Sequence, residues 1–283
     1  MHPFRTIVSA RSAIALFACA AWLAAAACSR EPTTPEARRQ RGDEIVRRMS
    51  DHLASARAFT VETTDSRPRA RGGKEVTVRT TRRFTVRRPD RFAVRVAGDI
   101  DLRGWYDGSK LTFVSDPQKV WARVNGAPTI DQTLDRLAER LAMPLPMADF
   151  LYSSPYDALI GPGSTGGYVG RETIDGVPCV HVAYQHPAVD WDLWVPEKGD
   201  PLPRKFRITD KTSARRRTTE VAFNAWTLGA AAPDATFVPE VPAGYERISI
   251  VVGTDEAAGS GGEAAAPAPA PSRASGAPEQ GRP

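Results

Sequence analysis

The most conspicuous chemical grouping in the sequence is a run of carboxylates and tryptophans, Asp190-Trp191-Asp192-Leu193-Trp194. Two carboxylates at a defined separation can supply the acid and the base or nucleophile of glycoside hydrolysis. On a strand, however, Asp190, Asp192 and Trp194 lie on one face, and Trp191 and Leu193 lie on the other. This arrangement is typical of a solvated face backed by packed aromatic side chains. We therefore predict no catalytic residue in this run.

Histidine and cysteine residues nearby give a second candidate grouping. His181 and His186 are five residues apart, so on a strand they point to opposite faces and do not converge on a metal ion. Cys179 shares a face with His181, but its apolar neighbours predict a buried free thiol. The other two cysteines, Cys19 and Cys28, fall in the N-terminal processing segment, so Cys179 has no partner for an internal disulfide. We predict no metal site.

A glycine-rich stretch over residues 161–170 has a superficial likeness to a phosphate-binding loop. No Gly-Lys-Ser/Thr follows it, and the next pattern is that of a strand, so no helix N-terminus is available for a phosphate. The sequence also has no Gly-x-Ser-x-Gly nucleophile elbow. We predict that the protein is not an enzyme and uses no cofactor.

The N-terminus carries the features of an export signal. Arg5 and Arg11 precede an uncharged apolar stretch over residues 13–27, which is too short to span a bilayer. Small residues lead to Cys28, and the segment resembles a bacterial lipobox, with residues 1–28 as a lipoprotein signal peptide and Cys28 as the lipidation site. The usual Leu three residues before the cysteine is Ala25 here, so cleavage near Ala27 without a lipid is the alternative.

Composition divides the rest of the chain. Residues 29–41 are polar and contain Pro, which predicts a tether, and residues 253–283 form a Pro/Ala/Gly tail that predicts disorder. Residues 42–252 remain as one folded domain. Ser29 after the cysteine favours sorting to the outer membrane by analogy with known lipoproteins. The predicted location is therefore periplasmic, with a lipid anchor in the outer membrane.

The chain has a formal net charge of +5, from 38 basic and 33 acidic residues. Short arginine runs, such as residues 82–83, 87–88 and 215–217, have two interpretations: an anionic partner such as lipid headgroups, or a solvated face. Because the chain is predicted to be exported, nucleic acid is not an expected partner.

Apolar periodicity predicts two helices. A stripe with helical spacing over residues 35–57 consists of Ile45, Met49, Leu53 and Ala56. Thr129 can cap a second helix, which Pro144 and Pro146 end and whose apolar face consists of Ile130, Leu134, Leu137 and Leu141. Two short helical turns follow, over residues 147–152 and 156–160.

Elsewhere apolar and polar residues alternate, as at Phe84 and Val86, with Asp-Gly and Asn-Gly turns between the runs. We count about eleven strands in an antiparallel meander. An apolar sheet face must be covered, and only the predicted helices can cover it. The expected fold is mainly β, of the α+β type: a strongly curved antiparallel sheet with an N-terminal helix and a central helical lid. A filled barrel is the alternative.

A concave apolar cavity under the lid is the expected ligand site. Its candidate lining residues are Leu134, Leu137, Leu141, Met143, Met147, Phe150, Leu151, Trp105 and Trp121. Methionines suit adaptable apolar binding. The alternative is that the central segment simply fills the sheet as core.

A series of short motifs resembles a known family. The motifs are residues 88–92 (Arg-Pro-Asp-Arg-Phe), 106–108 (Tyr-Asp-Gly), 128–131, 145–149, 169–170, 176–181 (Gly-Val-Pro-Cys-Val-His), 190–194 and 202–205. In their order and spacing they are similar to a family of predicted periplasmic bacterial proteins of unknown function. The resemblance covers residues 43–250 and implies the half-barrel fold of the lipoprotein carriers LolA and LolB. It implies no catalytic residues.

These observations lead to two functional hypotheses. The first is an envelope lipoprotein that binds an acyl chain, a lipid or a lipoprotein in the concave cavity. The second is a sensor or interaction module that binds another envelope protein and has a filled core. In both, the membrane is a partner through the lipid anchor.

Overall fold

The computed structural model describes residues 31–98, 100–141, 147–212, 216–230 and 232–249. The predicted signal peptide with Cys28, the start of the tether and the C-terminal tail lie outside the described residues. Met143 and the side chain of Leu141 also lie outside the described part of the chain.

The first element is helix α1, Pro35–Ser55. The side chain of Thr34 accepts a hydrogen bond from the N–H of Ala37 at 3.2 Å, which satisfies one free donor at the helix start. Pro35 suits the first turn because its missing N–H would have no partner there. The predicted apolar stripe is buried. Because α1 begins at Pro35, the last seven residues of the segment predicted as a tether are helical.

Six strands follow in sequence. They are β1 (Ala58–Arg71), β2 (Lys74–Arg87), β3 (Arg91–Gly98), β4 (Leu102–Tyr106), β5 (Lys110–Ser115) and β6 (Val120–Asn125). Each pairs antiparallel with the next. Gly72 and Gly73 connect β1 to β2 with positive φ angles of 59° and 76°, which glycine adopts without steric cost.

The central segment, residues 130–160, contains three helical elements in its described part. It comprises α2 (Ile130–Leu141), a 3₁₀ turn (Ala148–Phe150) and α3 (Pro155–Leu159). None of the helices in the described ranges is long and apolar enough to cross a membrane.

Five more strands form the second half. They are β7 (Thr165–Ile174), β8 (Val177–Gln185), β9 (Val189–Pro196), β10 (Lys205–Asp210) and β11 (Thr218–Leu228). A 3₁₀ turn (Asp234–Phe237) and the short strand β12 (Glu246–Arg247) complete the described chain.

The sheet has twelve strands in the order β12-β6-β5-β4-β3-β2-β1-β11-β10-β9-β8-β7. The prediction of a single meander was wrong. Two meanders, β1–β6 and β7–β11, are joined where β1 pairs antiparallel with β11, and β12 adds to β6 in parallel. The chain leaves one side of the sheet after β6, and the central segment carries it to the opposite edge at β7. The predicted class, an open antiparallel curved sheet with few helices, is confirmed.

The helices lie on one face of the sheet, which we call the concave face; the other is the convex face. The core lies between the helices and the concave face. It contains Ile45, Met49 and Leu53 of α1, Phe59 and Val61 of β1, Phe84 and Val86 of β2, Tyr184 of β8, Trp191 and Leu193 of β9, Phe206 of β10, and Val221 and Phe223 of β11. Strand alternation therefore decides which side chains can take part in any site under the helices.

Candidate functional site

The centre of the concave face is filled by the central segment. Met147, Phe150 and Leu151 are each 0% exposed and belong to the core. The ring of Phe150 packs edge-on against Phe206 at 5.1 Å and Phe223 at 5.2 Å between ring centroids. Edge-to-face packing of this kind is a favoured aromatic geometry. Phe150 thus occupies the position in which the sequence predicts a ligand cavity.

Five of the nine predicted cavity residues lie together. Leu134 and Leu137 of α2 are buried in the same core as Met147, Phe150 and Leu151. Their position agrees with both earlier interpretations, a lid and a core plug. That a ligand contacts them remains a prediction.

Trp105 and Trp121 require a correction, because they lie on the convex face. Gly104 and Tyr106 face the core, so Trp105 between them points to the other side. Trp121 lies opposite Val114 in the pairing of β5 with β6, on the same convex side. Each ring has an arginine over it, with Arg103 5.4 Å from the Trp105 centroid. The two tryptophans cannot line a space under the central segment.

One half-buried arginine, Arg88, attaches the central segment to the sheet. Arg88 Nη1 donates to the backbone oxygen of Leu151 at 2.8 Å, and its guanidinium lies 5.4 Å from the centre of the Phe59 ring. Burial lowers the pKa of Arg88, against the attraction of Asp131. In the sequence, Arg88 stood out only as part of an arginine run and of the motif of residues 88–92. The adjoining Pro89 was the available signal, since its carbonyl accepts from the N–H of Ile130 at 2.8 Å and fixes the start of α2 there.

Further hydrogen bonds connect the parts of the central segment. Tyr152 Oη donates to Asp135 at 2.8 Å, and the N–H of Ser153 donates to Asp131 at 2.9 Å. Burial and the neighbouring Asp135 raise the pKa of Tyr152. The N–H of Tyr156 donates to Ser50 of α1 at 3.0 Å. The central segment is therefore attached by a small number of hydrogen bonds around an apolar plug, which consists of Met147, Phe150 and Leu151.

Asp149, next to the plug, is an ionisable group in a low-dielectric setting. It keeps partial access to solvent but is densely surrounded by protein atoms, and this burial raises its pKa to about 6. Burial has this effect because it disfavours the charged carboxylate.

A polar group that the sequence analysis missed lies on the concave face beside the plug. Asp65 of β1 forms an ion pair with Arg82 of β2, and both side chains are largely buried. Thr63 and Thr80 lie on the same face and are buried. The available signal was spacing, because Thr63 and Asp65 continue at intervals of two the face that Phe59 and Val61 begin.

A groove of about 680 Å³ runs between α1 and β7. Its lining residues are Pro35, Glu36, Arg39, Gln40, Asp43, Glu44, Arg47 and Gly166. Arg39 Nη1 donates to the backbone oxygen of Ser164 at 2.6 Å, and Tyr184 Oη donates to Asp43 at 2.6 Å. This groove is open and lined by charged side chains, unlike the filled apolar core under the central segment.

The side chains of the carboxylate and tryptophan run on β9 are held by ion pairs, hydrogen bonds and stacking with neighbouring strands. Asp192 lies 2.8 Å from His181 Nε2 and 2.9 Å from Arg207 Nη2. Burial acts to raise the pKa of Asp192, but the hydrogen bonds from His181 and Arg207 hold it below its usual value. Trp194 stacks on His181 at 4.3 Å and donates to Glu172 at 2.7 Å. The predicted division of faces is confirmed, with Trp191 and Leu193 in the core.

Cys179 is a fully buried free cysteine, and burial raises its pKa. A raised thiol pKa reduces the fraction of reactive thiolate. Within the described ranges, no group of three His, Cys, Asp or Glu residues could hold a metal ion.

Residues 42–251 match the model of the family described as "Predicted periplasmic protein (DUF2092)", and the chain belongs to this family. The resemblance to a family of predicted periplasmic proteins is thereby confirmed. No curated protein matches the chain.

The chain is similar in fold to several solved structures, and three of them are described by their identity, TM-score and coverage. A DUF1329 family protein from Desulfovibrio piger is 15% identical, with a TM-score of 0.39, 73% of this chain and 98% of that chain covered. A LolA superfamily protein from Nitrosomonas europaea is 11% identical, with a TM-score of 0.37 and coverage of 70% and 97%. The Pseudomonas aeruginosa MucA/MucB complex matches at 12% identity and a TM-score of 0.40, with 70% of this chain and 61% of that chain covered.

Proposed function

We propose that this protein is a non-enzymatic binding protein of the periplasm that takes an acyl chain between the concave face and the central segment. The observation that carries the proposal is Phe150, which fills an aromatic trough formed by Phe206 and Phe223. The ring reaches this position from a short 3₁₀ turn and not from a sheet strand. In the proposed bound state, the ligand replaces Phe150 and its neighbours, and the central segment acts as a lid.

The exchange is favourable in principle because one apolar occupant replaces another. Burying a Phe side chain contributes roughly 1.5–3 kcal/mol, and each buried methylene contributes about 0.8 kcal/mol. Two to four methylenes of a chain therefore offset the loss of the Phe150 contacts. Opening the lid also breaks the hydrogen bond from Arg88 to Leu151, a contact of the order of 1–3 kcal/mol.

The test combines native mass spectrometry with a fluorescent fatty acid. Protein purified from its host's membrane should carry a co-purifying lipid, and the Phe150→Leu variant should take up the probe several-fold more tightly than the wild type because the plug is smaller. Phe237→Leu is the matched control, since Phe237 is equally buried but lies outside the concave core. The absence of both a co-purifying lipid and probe uptake in every variant would refute the proposal.

A second candidate function is the binding of another envelope protein in the groove between α1 and β7. The observation that favours it is the set of charged side chains that line an open space beside the edge strand β7. Arg47, one of these side chains, lies 3.8 Å from the centre of the Tyr156 ring. A photo-crosslinking residue at Gln40 should then capture a defined partner in cells, whereas one at the exposed Lys198 should not. Equal capture at both positions would count against this function.

We also propose that Cys28 carries the lipid anchor and that the protein is held at the outer membrane. The lipobox-like sequence and Ser29 support this location. Inhibition of the lipoprotein signal peptidase should cause a larger precursor to accumulate, and Cys28→Ala should release the protein from membranes. Unchanged fractionation of the variant would exclude the anchor.

A further inference from the structure

Along β1 and β2, the apolar residues of the concave face are followed by a largely buried polar row, which consists of Thr63, Asp65 and Arg82. On β1, Val61 is followed on the same face by Thr63 and Asp65, and on β2 Phe84 is preceded by Arg82. Thr63 is 0% exposed and Asp65 is 3% exposed. These residues therefore lie inside the protein and not at a solvated rim.

The hydrogen-bonding capacity of this row is incompletely used. Asp65 Oδ2 pairs with Arg82 Nη1, but Asp65 Oδ1 and Thr63 Oγ1 have no hydrogen-bond partner in the part of the chain that the structure describes. Buried polar atoms in native proteins are nearly always hydrogen-bonded, so two unpartnered atoms on neighbouring residues of one face require an explanation.

The row lies beside the plug. Thr63 is directly opposite Phe223 in the pairing of β1 with β11, and Phe223 is one of the two rings against which Phe150 packs. A β-bulge falls at this point, because Glu62 pairs with Ala225 whereas Thr63 pairs with Phe223. Bulges re-aim side chains and are over-represented next to functional sites.

We infer that Thr63, Asp65 and Arg82 bind the polar end of the ligand, and that this end is an uncharged group with both a donor and an acceptor, such as an amide or a hydroxyl. This inference rests on the proposed function and names its ligand class: a neutral acyl amide or acylglycerol. The chain of the ligand lies where Phe150 packs, and its polar end reaches the row beyond Phe223.

Charge favours a neutral end group. The opposite charges of Asp65 and Arg82 cancel, so the row offers no net attraction to an ion. A carboxylate placed here meets the carboxylate of Asp65, and an ammonium meets the guanidinium of Arg82. An amide, by contrast, donates its N–H to Asp65 Oδ1 and accepts from the hydroxyl of Thr63, which satisfies both unpartnered atoms.

The test measures binding of three probes with a twelve-carbon chain to the full mature protein: dodecanamide, 1-monododecanoylglycerol and dodecanoate. Isothermal titration calorimetry should show the two neutral probes bound about tenfold or more tightly than dodecanoate. Thr63→Val keeps the shape and removes the hydroxyl, so it should weaken dodecanamide binding roughly tenfold and leave dodecanoate binding unchanged. Thr60→Val, on the opposite face of β1, is the matched control and should change neither.

Thr63→Ser retains the hydroxyl and should keep the preference for neutral probes, which guards against a general packing effect. If dodecanoate binds as tightly as the neutral probes, or if Thr63→Val weakens every probe equally, the inference is overturned while the proposed function stands. If no probe binds to any variant, the inference fails, and the proposed function fails with it when the purified protein also carries no co-purifying lipid.

Discussion

Two polar groups lie on opposite faces of the sheet and differ in how fully their hydrogen bonds are satisfied. On the convex face, Asp192 accepts from His181 and Arg207, and Trp194 packs among them. On the concave face, the pair of Asp65 and Arg82 leaves Asp65 Oδ1 and Thr63 Oγ1 without partners. The convex group is the more conspicuous in the sequence, yet the concave group has unused binding capacity.

The difference shows what solvent does to a polar cluster. Arg207 is 37% exposed, so its guanidinium can exchange the hydrogen bond to Asp192 for one to water at little cost. Thr63 and Asp65 have no such exchange, because both are buried beside the apolar core. An isolated buried charge is strongly destabilising, whereas an exposed one is not. Variants on the two faces should therefore respond by different amounts and with different signs.

The largest expected effect follows the loss of Asp65. Asp65→Ala leaves Arg82 buried without its partner, so the free energy of unfolding should fall by about 3–5 kcal/mol. Urea denaturation followed by tryptophan fluorescence measures the change. The double variant Asp65→Leu/Arg82→Met removes both charges and should recover most of the loss. A single-variant loss below about 1 kcal/mol would mean that water reaches the pair.

Periodicity predicted most of the elements because their patterns are local. The helix expected over residues 35–57 is α1, and the alternation of Phe84 with Val86 marks β2. The division of the β9 side chains between two faces also follows from spacing alone. These features depend on neighbouring residues, for which helix and strand periods suffice.

Long-range pairing and the choice of face could not be predicted in this way. The contact of β1 with β11 joins residues about 160 positions apart, and no turn signal specifies it. Alternation places Trp105 opposite to Tyr106 but does not say which of the two faces the helices cover. The ion pair of Asp65 with Arg82 depends on the register of the long β1–β2 hairpin. It could therefore be recognised only from the structure.

Substitution of Asp149 should give the next largest change in the free energy of unfolding, and this change should depend on pH. Its folded-state pKa of about 6 lies above the ordinary value of 3.8, so its stabilising contribution is complete below pH 4 and is lost as the pH rises through 6. Asp149→Asn abolishes this loss and should be more stable than the wild type at pH 7 by up to about 2 kcal/mol. At pH 4 the two proteins should be nearly equal. A difference that is the same at both pH values would contradict the raised pKa.

Asp192 on the convex face should show a smaller effect with the opposite dependence on pH. Its pKa lies below 3.8, so its contribution is present above pH 4 and is lost as the pH falls through the folded-state pKa. Asp192→Asn should lower the free energy of unfolding by about 1 kcal/mol at pH 7, since Arg207 can be hydrated. The deficit should shrink below pH 4, as thermal unfolding across this range would show. A loss as large as that of Asp65→Ala would remove the contrast between the faces.

The smallest expected change in the free energy of unfolding comes from a Thr→Val substitution, made once on each face of the sheet. Thr63→Val removes a buried hydroxyl that has no partner, so the free energy of unfolding should stay the same or rise by up to about 1 kcal/mol. Thr209→Val on the convex face breaks the 3.0 Å hydrogen bond between the hydroxyls of Thr209 and Thr218 and should lower it by about 0.5–1.5 kcal/mol. Both substitutions replace a hydroxyl with a methyl group on a strand, so differences in shape and strand propensity largely cancel. Opposite signs in urea denaturation would support an unsatisfied hydroxyl at Thr63. A loss at Thr63 as large as that at Thr209 would mean that its hydroxyl is already satisfied in the free protein, and that the concave row has less to offer a ligand.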